Sequence, residues 1–276
     1  MPSDFHMLEL YLLAWAGSAR KLPGMKCVCW LIPLVALCLC SLQCYPVGPL
    51  GGGPDYWNQR YGRPSGGDSS PDAAFTPRGD SVSAARLLRE VHLRSDMVAR
   101  GTYGRRVVRP MTPRYITIHS TENPTAGAAL HSLALKRGTL RSGMRPGGNR
   151  IGFLIWHFTV DDGVAIQHMP ISEQGEHADF DGPGNRLSIG IEMCENRGNN
   201  WQATLDRSAK LTAYLMYRNH IPLCNVVPHY HWPRHGKHPP NKNCPHLLLT
   251  NGRPGAKWQA FLNRVNFHYH RIADAS

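Results

Sequence analysis

The stretch Leu187-Ser-Ile-Gly-Ile-Glu-Met-Cys194 alternates apolar side chains with small or polar ones. In a β strand, successive side chains point to opposite faces. The apolar face would carry Ile189, Ile191 and Met193. The other face would carry Ser188, Gly190 and Glu192. The period of two therefore predicts a strand with one buried face.

Neighbouring segments extend this strand into a sheet. Tyr115-Ile-Thr-Ile118 is a short β-branched run, and Val226-Val227 is another. Residues 153–160 and 164–168 flank Asp161-Asp162-Gly163, which is typical of a hairpin turn. A hairpin requires an antiparallel pair of strands, so the sheet should be mixed.

Apolar residues at helical spacing predict four helices, one before the first of these strands and the others between and after them. Asp80 is the expected N-cap of the first helix, and Gly138 should end the second. Strands alternating with helices predict an α/β fold, a single domain with a mixed β-sheet flanked by helices. We expect all four apolar stripes to pack in its core: Ala84, Leu87, Leu88 and Val91; Ala126, Ala129, Leu130 and Leu133; Leu205, Ala209, Thr212 and Met216; Trp258, Phe261, Leu262 and Val265.

Composition divides the chain of 276 residues into three parts. Residues 1–44 contain an N-terminal extension and an apolar run typical of a signal peptide, a lipoprotein signal or an anchor. Residues 45–80 are rich in glycine and proline and poor in aliphatic side chains, which predicts a flexible, disordered linker. Residues 81–276 have the length of one folded domain.

The N-terminal part leaves three alternatives open. The apolar run Cys27–Leu42 follows lysines and is shorter than the ~20 residues that comfortably span a bilayer, which favours a cleaved signal over an uncleaved anchor. Met25 stands where such a signal would begin, so either Met1 or Met25 starts the protein. Cys44 stands where a lipoprotein would be acylated.

The formal net charge is +12. This surplus favours an acidic partner, which could be nucleic acid, an anionic membrane or an anionic wall polymer. Arginines between residues 86 and 114 form a basic stretch, but glycines and prolines interrupt it and it matches no nucleic-acid-binding module. We therefore expect no nucleic-acid partner.

Three segments carry side chains suited to metal chemistry. His119 follows the strand predicted at 115–118, and His229 follows the run Val226-Val227. Sites in α/β folds are usually built at strand ends, so both histidines are candidates. Cys244 lies two residues after Lys242, whose charge would favour the thiolate that binds metal.

Two imidazoles and a thiolate are a normal ligand set for catalytic zinc. The spacing alone is equally consistent with a histidine-rich loop and an idle thiol. The folded part retains Cys194, Cys224 and Cys244. In an oxidising compartment Cys194 and Cys224 could form a disulfide, which would leave Cys244 to be explained.

Five ordered motifs together resemble a known family. They are Ile118-His-Ser120, Trp156-His-Phe-Thr-Val-Asp-Asp162, Ser188-Ile-Gly-Ile-Glu192, Val227-Pro-His229 and Lys242-Asn-Cys-Pro-His246. They look like the zinc-dependent N-acetylmuramoyl-L-alanine amidases, a superfamily shared with phage lysozyme-type amidases and peptidoglycan recognition proteins. The likeness is strongest to Bacillus-type autolysins and prophage endolysins, and it implies the fold of that superfamily.

The resemblance implies roles for five residues. His119, His229 and Cys244 match the family's zinc ligands. Glu192 matches its general base, and Lys242 matches the lysine that stabilises the oxyanion. The strand pattern supports Glu192, because a lone carboxylate on a largely uncharged strand is costly unless it serves a purpose.

Several assignments have alternatives. Glu192 could instead pair with an arginine such as Arg186. By resemblance, Trp156 and His177 line the substrate groove, although Trp156 replaces a tyrosine of some branches. Other histidines compete as metal ligands: His231, His235, His238 and His246.

The resemblance implies a peptidoglycan hydrolase that cleaves the amide bond between N-acetylmuramic acid and the L-alanine of the stem peptide. It would be an exported monomer that acts on peptidoglycan or muropeptides in the cell envelope, with membrane attachment through the N-terminal segment or a lipidated Cys44 left open. The alternative is a non-catalytic peptidoglycan-binding module. Such modules typically lose the cysteine ligand, so the presence of Cys244 favours an enzyme.

Overall fold

The computed structural model of the chain describes residues 82–143 and 151–272. The predicted export segment with Cys44, the linker at 45–80 and the Asp80 cap lie outside these residues. Within the described ranges, no helix combines the length and the apolar character needed to cross a bilayer.

A mixed sheet of six strands forms the centre of the described domain. Its strands are β1 Leu93–Ser95, β2 Tyr115–Ser120, β3 Phe158–Val160, β4 Ala165–Gln167, β5 Ser188–Met193 and β6 Val226–Pro228. Their order across the sheet is β1-β4-β3-β5-β2-β6. The pair β3 and β4 is antiparallel, and the other neighbouring pairs are parallel. The predicted hairpin and the mixed sheet are confirmed.

Five α-helices, four short 3-10 helices and a small second sheet complete the described fold. The helices are α1 Ala84–Val91, α2 Ala128–Arg137, α3 Pro183–Leu187, α4 Trp201–Asn219 and α5 Ala256–Arg271. The second sheet pairs β7 Leu249–Thr250 with β8 Arg253–Pro254. The short elements β1, β7, β8 and α3 were not predicted.

Helix ends follow local hydrogen bonding. The side chain of Ser83 accepts a hydrogen bond from the Arg86 amide, so Ser83, and not the predicted Asp80, caps α1. Gly138 ends α2 in the left-handed region with φ of 63°, as predicted.

The main core lies between one face of the sheet and the helices α1, α4 and α5. On β5 it contains Ile189, Ile191 and Met193, all fully buried. The predicted stripes of α4 and α5 are confirmed, because their side chains join the same apolar cluster: Leu205, Ala209, Met216, Trp258, Phe261, Leu262 and Val265.

The opposite face of β2 and β5 is lined by small and polar residues. The hydroxyl oxygens of Thr117 and Ser188 lie 2.7 Å apart and are buried. Gly190 follows on β5, and His119 and Glu192 lie at the carboxyl ends of the two strands. The alternation predicted from the sequence is thus confirmed, and its second face carries the candidate site.

The predicted stripe of α2 was wrong. Leu130 is 53% exposed and Leu133 is 36% exposed. The buried face instead contains Ala128, His131, Ser132 and Leu135. On this face the buried Ser132 Oγ donates to the carboxylate of Asp96, which also accepts a hydrogen bond from the exposed Lys136 Nζ.

Replacing Ile191 with alanine should lower the free energy of unfolding by about 2–5 kcal/mol, since Ile191 is fully buried and the change leaves a cavity. Leu130→Ala is the matched control, because it removes apolar atoms from an exposed position and should cost within about 0.5 kcal/mol. Urea unfolding of both variants measures the difference. Equal losses would contradict the assigned core.

Candidate metal centre

The register between β2 and β5 places the first two residues of the site side by side. These strands are parallel neighbours, and His119 is aligned with Glu192 at their carboxyl ends. β2 continues to Ser120, beyond the strand predicted at 115–118, so His119 belongs to the ladder and is 1% exposed. The sequence placed His119 just after the strand, whereas in the structure it lies within the strand and is buried.

Two further segments bring potential ligands to His119. β6 pairs with β2 and ends at Pro228, which places His229 Nδ1 2.9 Å from His119 Nδ1. The backbone amide of Ser120 donates to Cys244 Sγ over 3.4 Å and holds the cysteine against β2. The three candidate ligand atoms lie within 4.8 Å of one another, and all three residues are buried.

The donor set fits a divalent ion such as zinc. Two imidazole nitrogens and one sulfur are typical zinc ligands, and they leave a fourth tetrahedral position open. With metal–ligand distances of about 2.0–2.3 Å, tetrahedral ligands lie about 3.5 Å apart. The cluster formed by His119, His229 and Cys244 therefore needs only small side-chain shifts to coordinate such an ion.

Burial sets the protonation of these groups. It strongly lowers the pKa of His119 and lowers the pKa of His229 to about 3, so both rings are neutral, as a metal ligand must be. Burial, together with Glu192, raises the pKa of the Cys244 thiol to about 12. Lys242 acts in the opposite direction, as the sequence suggested, but is outweighed. Metal binding would thus release a proton from Cys244.

Glu192 lies beside the cluster. Its Oε1 is 3.8 Å from His119 Nδ1, and its side chain is 14% exposed. Burial raises the pKa of Glu192 to about 8, an effect that the charge of Lys242 partly offsets. Among the described residues, Glu192 forms no ion pair with Arg186, the alternative left open by the sequence; its neighbour is the neutral ring of His119.

Lys242 lies between the ligand cluster and Glu122, a carboxylate that no sequence motif indicated. Its Nζ is 3.2 Å from Oε1 of Glu122. Burial lowers the pKa of Lys242, but the attraction of Cys244, Glu122 and Glu192 outweighs this and raises it overall, so the side chain is a cation. Glu122 has a backbone φ of 48°, which is unusual for a residue other than glycine.

A cleft of about 360 Å³ opens over this site. Trp156 and His177 line it together with Glu192, His229 and Lys242. The indole nitrogen of Trp156 donates to Thr159 Oγ1 over 2.7 Å, which fixes the ring in the cleft wall. His177 Nδ1 lies 3.0 Å from His119 Nε2.

A second depression, of about 510 Å³, lies on the other side of Lys242, which lines both. Glu122, Glu195 and His246 contribute to its wall. This depression is the larger of the two. The ligand cluster nevertheless borders the cleft, because His229 lines the cleft and does not line the depression.

The competing candidates lie outside the ligand cluster. His246 Nδ1 lies 3.3 Å from Ser120 Oγ and 3.5 Å from a Glu195 oxygen. His231 packs edge-on against Trp232. His235 and His238 are exposed in the loop that follows. Among the described residues, none of these four belongs to a group that could hold a metal ion.

The cysteine pairing left open by the sequence is also resolved within the described residues. Cys194 and Cys224 are not joined by a disulfide. Cys194 is buried, and its Sγ lies 4.0 Å from His131 Nδ1.

One further carboxylate stabilises the cleft wall. Glu176 is 2% exposed on its side chain, accepts a hydrogen bond from Asn185 Nδ2 over 2.7 Å, and lies 3.2 Å from an Arg109 nitrogen. Burial outweighs the attraction of Arg109 and raises the pKa of Glu176 to about 7.

Glu176→Gln should flatten the pH dependence of stability between about pH 5 and pH 7. The unfolded chain loses this proton near the ordinary value of 4.5, whereas the folded protein keeps it until about 7. Between these values the unfolded state binds fewer protons, so stability falls as pH rises. Urea unfolding at several pH values measures the slope. Asp181→Asn, at a more exposed carboxylate near the same arginine, is the control, and equal slopes for wild type and Glu176→Gln would refute the assignment.

Comparison with known proteins agrees with this geometry. Residues 109–247 match the family model described as N-acetylmuramoyl-L-alanine amidase. Two curated relatives from Bacillus subtilis (strain 168) carry the same description. CwlH is 38% identical over 160 residues, which cover 56% of this chain and 54% of CwlH. XlyA is 41% identical over 154 residues, which cover 55% of this chain and 43% of XlyA.

The chain thus spans about half the length of the curated relatives it matches. Solved structures cover the folded part more completely. The catalytic domain of XlyA is 37% identical, with a TM-score of 0.51, over 63% of this chain and 98% of that domain. A mutant endolysin from Bacillus subtilis is 35% identical, with a TM-score of 0.52, over 63% and 97%. Since the family model matches half of the residues, the chain belongs to the N-acetylmuramoyl-L-alanine amidase family.

Proposed function

We propose that this chain is a zinc-dependent N-acetylmuramoyl-L-alanine amidase, which hydrolyses the bond between the lactyl group of N-acetylmuramic acid and the L-alanine of the stem peptide. The observation that carries the proposal is the buried cluster of His119, His229 and Cys244 beside Glu192 and Lys242. Membership of the family and the names of CwlH and XlyA support the same bond.

Amide hydrolysis needs a strong nucleophile and a means of stabilising an oxyanion. His119, His229 and Cys244 would hold the zinc ion, which when bound supplies the Lewis acidity that acidifies water and polarises a carbonyl. The cluster borders the cleft, so a substrate amide can approach its open side. Trp156 and His177 form part of the wall against which the substrate would lie.

Glu192 is positioned to move the proton. Its carboxylate lies beside His119 at the open side of the cluster, so it can accept a proton from the attacking water and pass it to the departing amine. With no cation bound, its pKa is raised to about 8, and positive charge in the cluster lowers it toward the ionised form that a base requires.

Lys242 would stabilise the transition state by charge. Its ammonium group lies at the boundary between the cleft and the second depression, within the field of Glu122 and Glu192. A fixed cation there favours the developing negative charge on the carbonyl oxygen. The ion pair with Glu122 restricts the lysine to this position.

These features favour an enzyme over a peptidoglycan-binding module. A binding module has no need of a general base or of a buried thiol beside two imidazoles. Cys244 is fully buried within the ligand cluster, and Glu192 keeps a carboxylate at its edge.

We further infer that residues 81–276 form the catalytic domain, that 45–80 tether it, and that 1–44 direct export to the cell envelope. Cleavage, lipidation at Cys44 and anchoring remain the alternatives for the N-terminal part. The net charge of +12 complements an anionic wall polymer. We expect the protein to act as a monomer.

Digestion of purified muropeptides tests the proposed reaction. The wild-type chain with zinc should release free stem peptides, detected by mass spectrometry, and a chelator should stop the release. Glu192→Gln keeps the size of the side chain but removes the base, so it should lower kcat by about 100-fold or more. Intact lactyl–alanine bonds after digestion by the zinc-loaded wild type would refute the proposal.

Cys244→Ser should abolish tight zinc binding, because it removes the one thiolate of the cluster. Zinc content after gel filtration in a weak chelator measures this. Cys224→Ser is the matched control, since Cys224 lies outside the cluster, and it should retain about one zinc per chain. Stoichiometric zinc in Cys244→Ser would exclude the cysteine as a ligand.

A further inference from the structure

His177 is packed against the back of His119. The two rings meet edge to face with centroids 5.0 Å apart, and His177 Nδ1 lies 3.0 Å from His119 Nε2. Its ring covers Gly190 so closely that a Cβ at that position would lie 2.9 Å from it. Since His177 is only 8% exposed, little of it remains for contact with a substrate.

The positions of the nitrogens determine where the protons must lie. His119 turns Nδ1 toward His229 and the ligand cluster. To bind a metal through Nδ1, the ring must carry its proton on Nε2. That N–H needs an acceptor in a buried site, and Nδ1 of His177 lies at hydrogen-bond distance from it.

We propose that His177 is a positioning residue for the metal centre, which accepts the Nε2 proton of His119 and thereby holds the Nδ1 lone pair toward the ion. This inference rests on the proposed metal site and deepens it. His177 also lines the cleft, so this role behind the ligand adds to the substrate-groove role expected for it.

The second histidine ligand has an equivalent partner in the next residue. His229 Nε2 donates to the carbonyl oxygen of Ala178 over 2.9 Å, which leaves its Nδ1 facing the cluster. The dipeptide His177-Ala178 therefore supplies one acceptor to each imidazole ligand, the first from a side chain and the second from the backbone. Acceptors of this kind fix the tautomer and the orientation of metal-bound histidines.

One side chain holds this dipeptide in place. Asn185 Oδ1 accepts hydrogen bonds from the backbone amides of both His177 and Ala178, over 2.8 and 2.7 Å. Its Nδ2 donates to Glu176, and its backbone amide donates to Asp179 Oδ1 over 2.8 Å. Nδ2 also donates to the carbonyl oxygen of Phe180, so Asn185 is bonded to every residue from 176 to 180 and holds both acceptors in position.

Zinc affinity of the full chain, measured by competition with a chromophoric chelator, tests the role of His177. His177→Leu removes the acceptor at similar volume and should weaken zinc binding by about 10–100-fold. His177→Asn retains an oxygen near the position of Nδ1 and should stay within a few-fold of wild type. His177→Phe keeps a ring over Gly190 without a nitrogen, so it should match His177→Leu and serves if that variant folds poorly.

His268→Leu is the matched control. His268 is also buried and hydrogen-bonded, to Asp206, but it lies on α5 away from the ligand cluster. It should lose stability and keep wild-type zinc affinity. The visible spectrum of the cobalt-substituted protein adds a second readout, which should change in His177→Leu and not in His268→Leu.

The outcomes separate this inference from the proposed function. A wild type that binds zinc tightly, with His177→Leu and His177→Phe binding equally well, overturns the inference alone. The same holds if His177→Asn binds as weakly as His177→Leu, because rescue by an acceptor atom is then absent. A wild-type chain that binds no zinc overturns the proposed metal site together with the inference.

Discussion

The parallel pairing of β2 with β5 places His119 beside Glu192, and the candidate site depends on this register. A slip of one residue would turn His119 toward the helices and an isoleucine toward the cleft, since strand side chains alternate between faces. The core on one side therefore fixes the chemistry on the other. Because Ile189, Ile191 and Met193 are buried against the helices, Glu192 can only face the cleft.

The second physical constraint on the site is desolvation, which sets the protonation states of its side chains. The same burial that keeps the imidazoles of His119 and His229 neutral also keeps the Cys244 thiol and the Glu192 carboxyl protonated while no cation is bound. A divalent ion bound there would reverse the last two preferences, because its charge stabilises both anions. In the proposed mechanism, ligand formation and ionisation of Glu192 would thus be coupled through one charge.

Much of this was accessible from sequence because the signals are local. The alternation in residues 187–194 predicted the strand and the face of Glu192, and the ordered motifs predicted the cluster of His119, His229 and Cys244. What sequence could not supply are contacts through space. The position of His177 behind His119 and the ion pair of Glu122 with Lys242 depend on loops whose paths no periodicity encodes. The stripe on α2 failed for the same reason, since its buried face includes Ser132, whose partner Asp96 comes from another part of the chain.

The left-handed backbone conformation of Glu122 affects which residues selection would favour at this position. A left-handed conformation costs a residue other than glycine about 1–2 kcal/mol, and Glu122 bears this cost while its carboxylate pairs with Lys242. Glycine would relax that turn and remove the charge in the same substitution. A laboratory evolution campaign that rewards heat resistance alone would therefore drift toward glycine at this position, whereas, on the proposed role of Lys242, one that rewards turnover would retain the glutamate. Residue 122 is a place where the two pressures on this protein can be told apart.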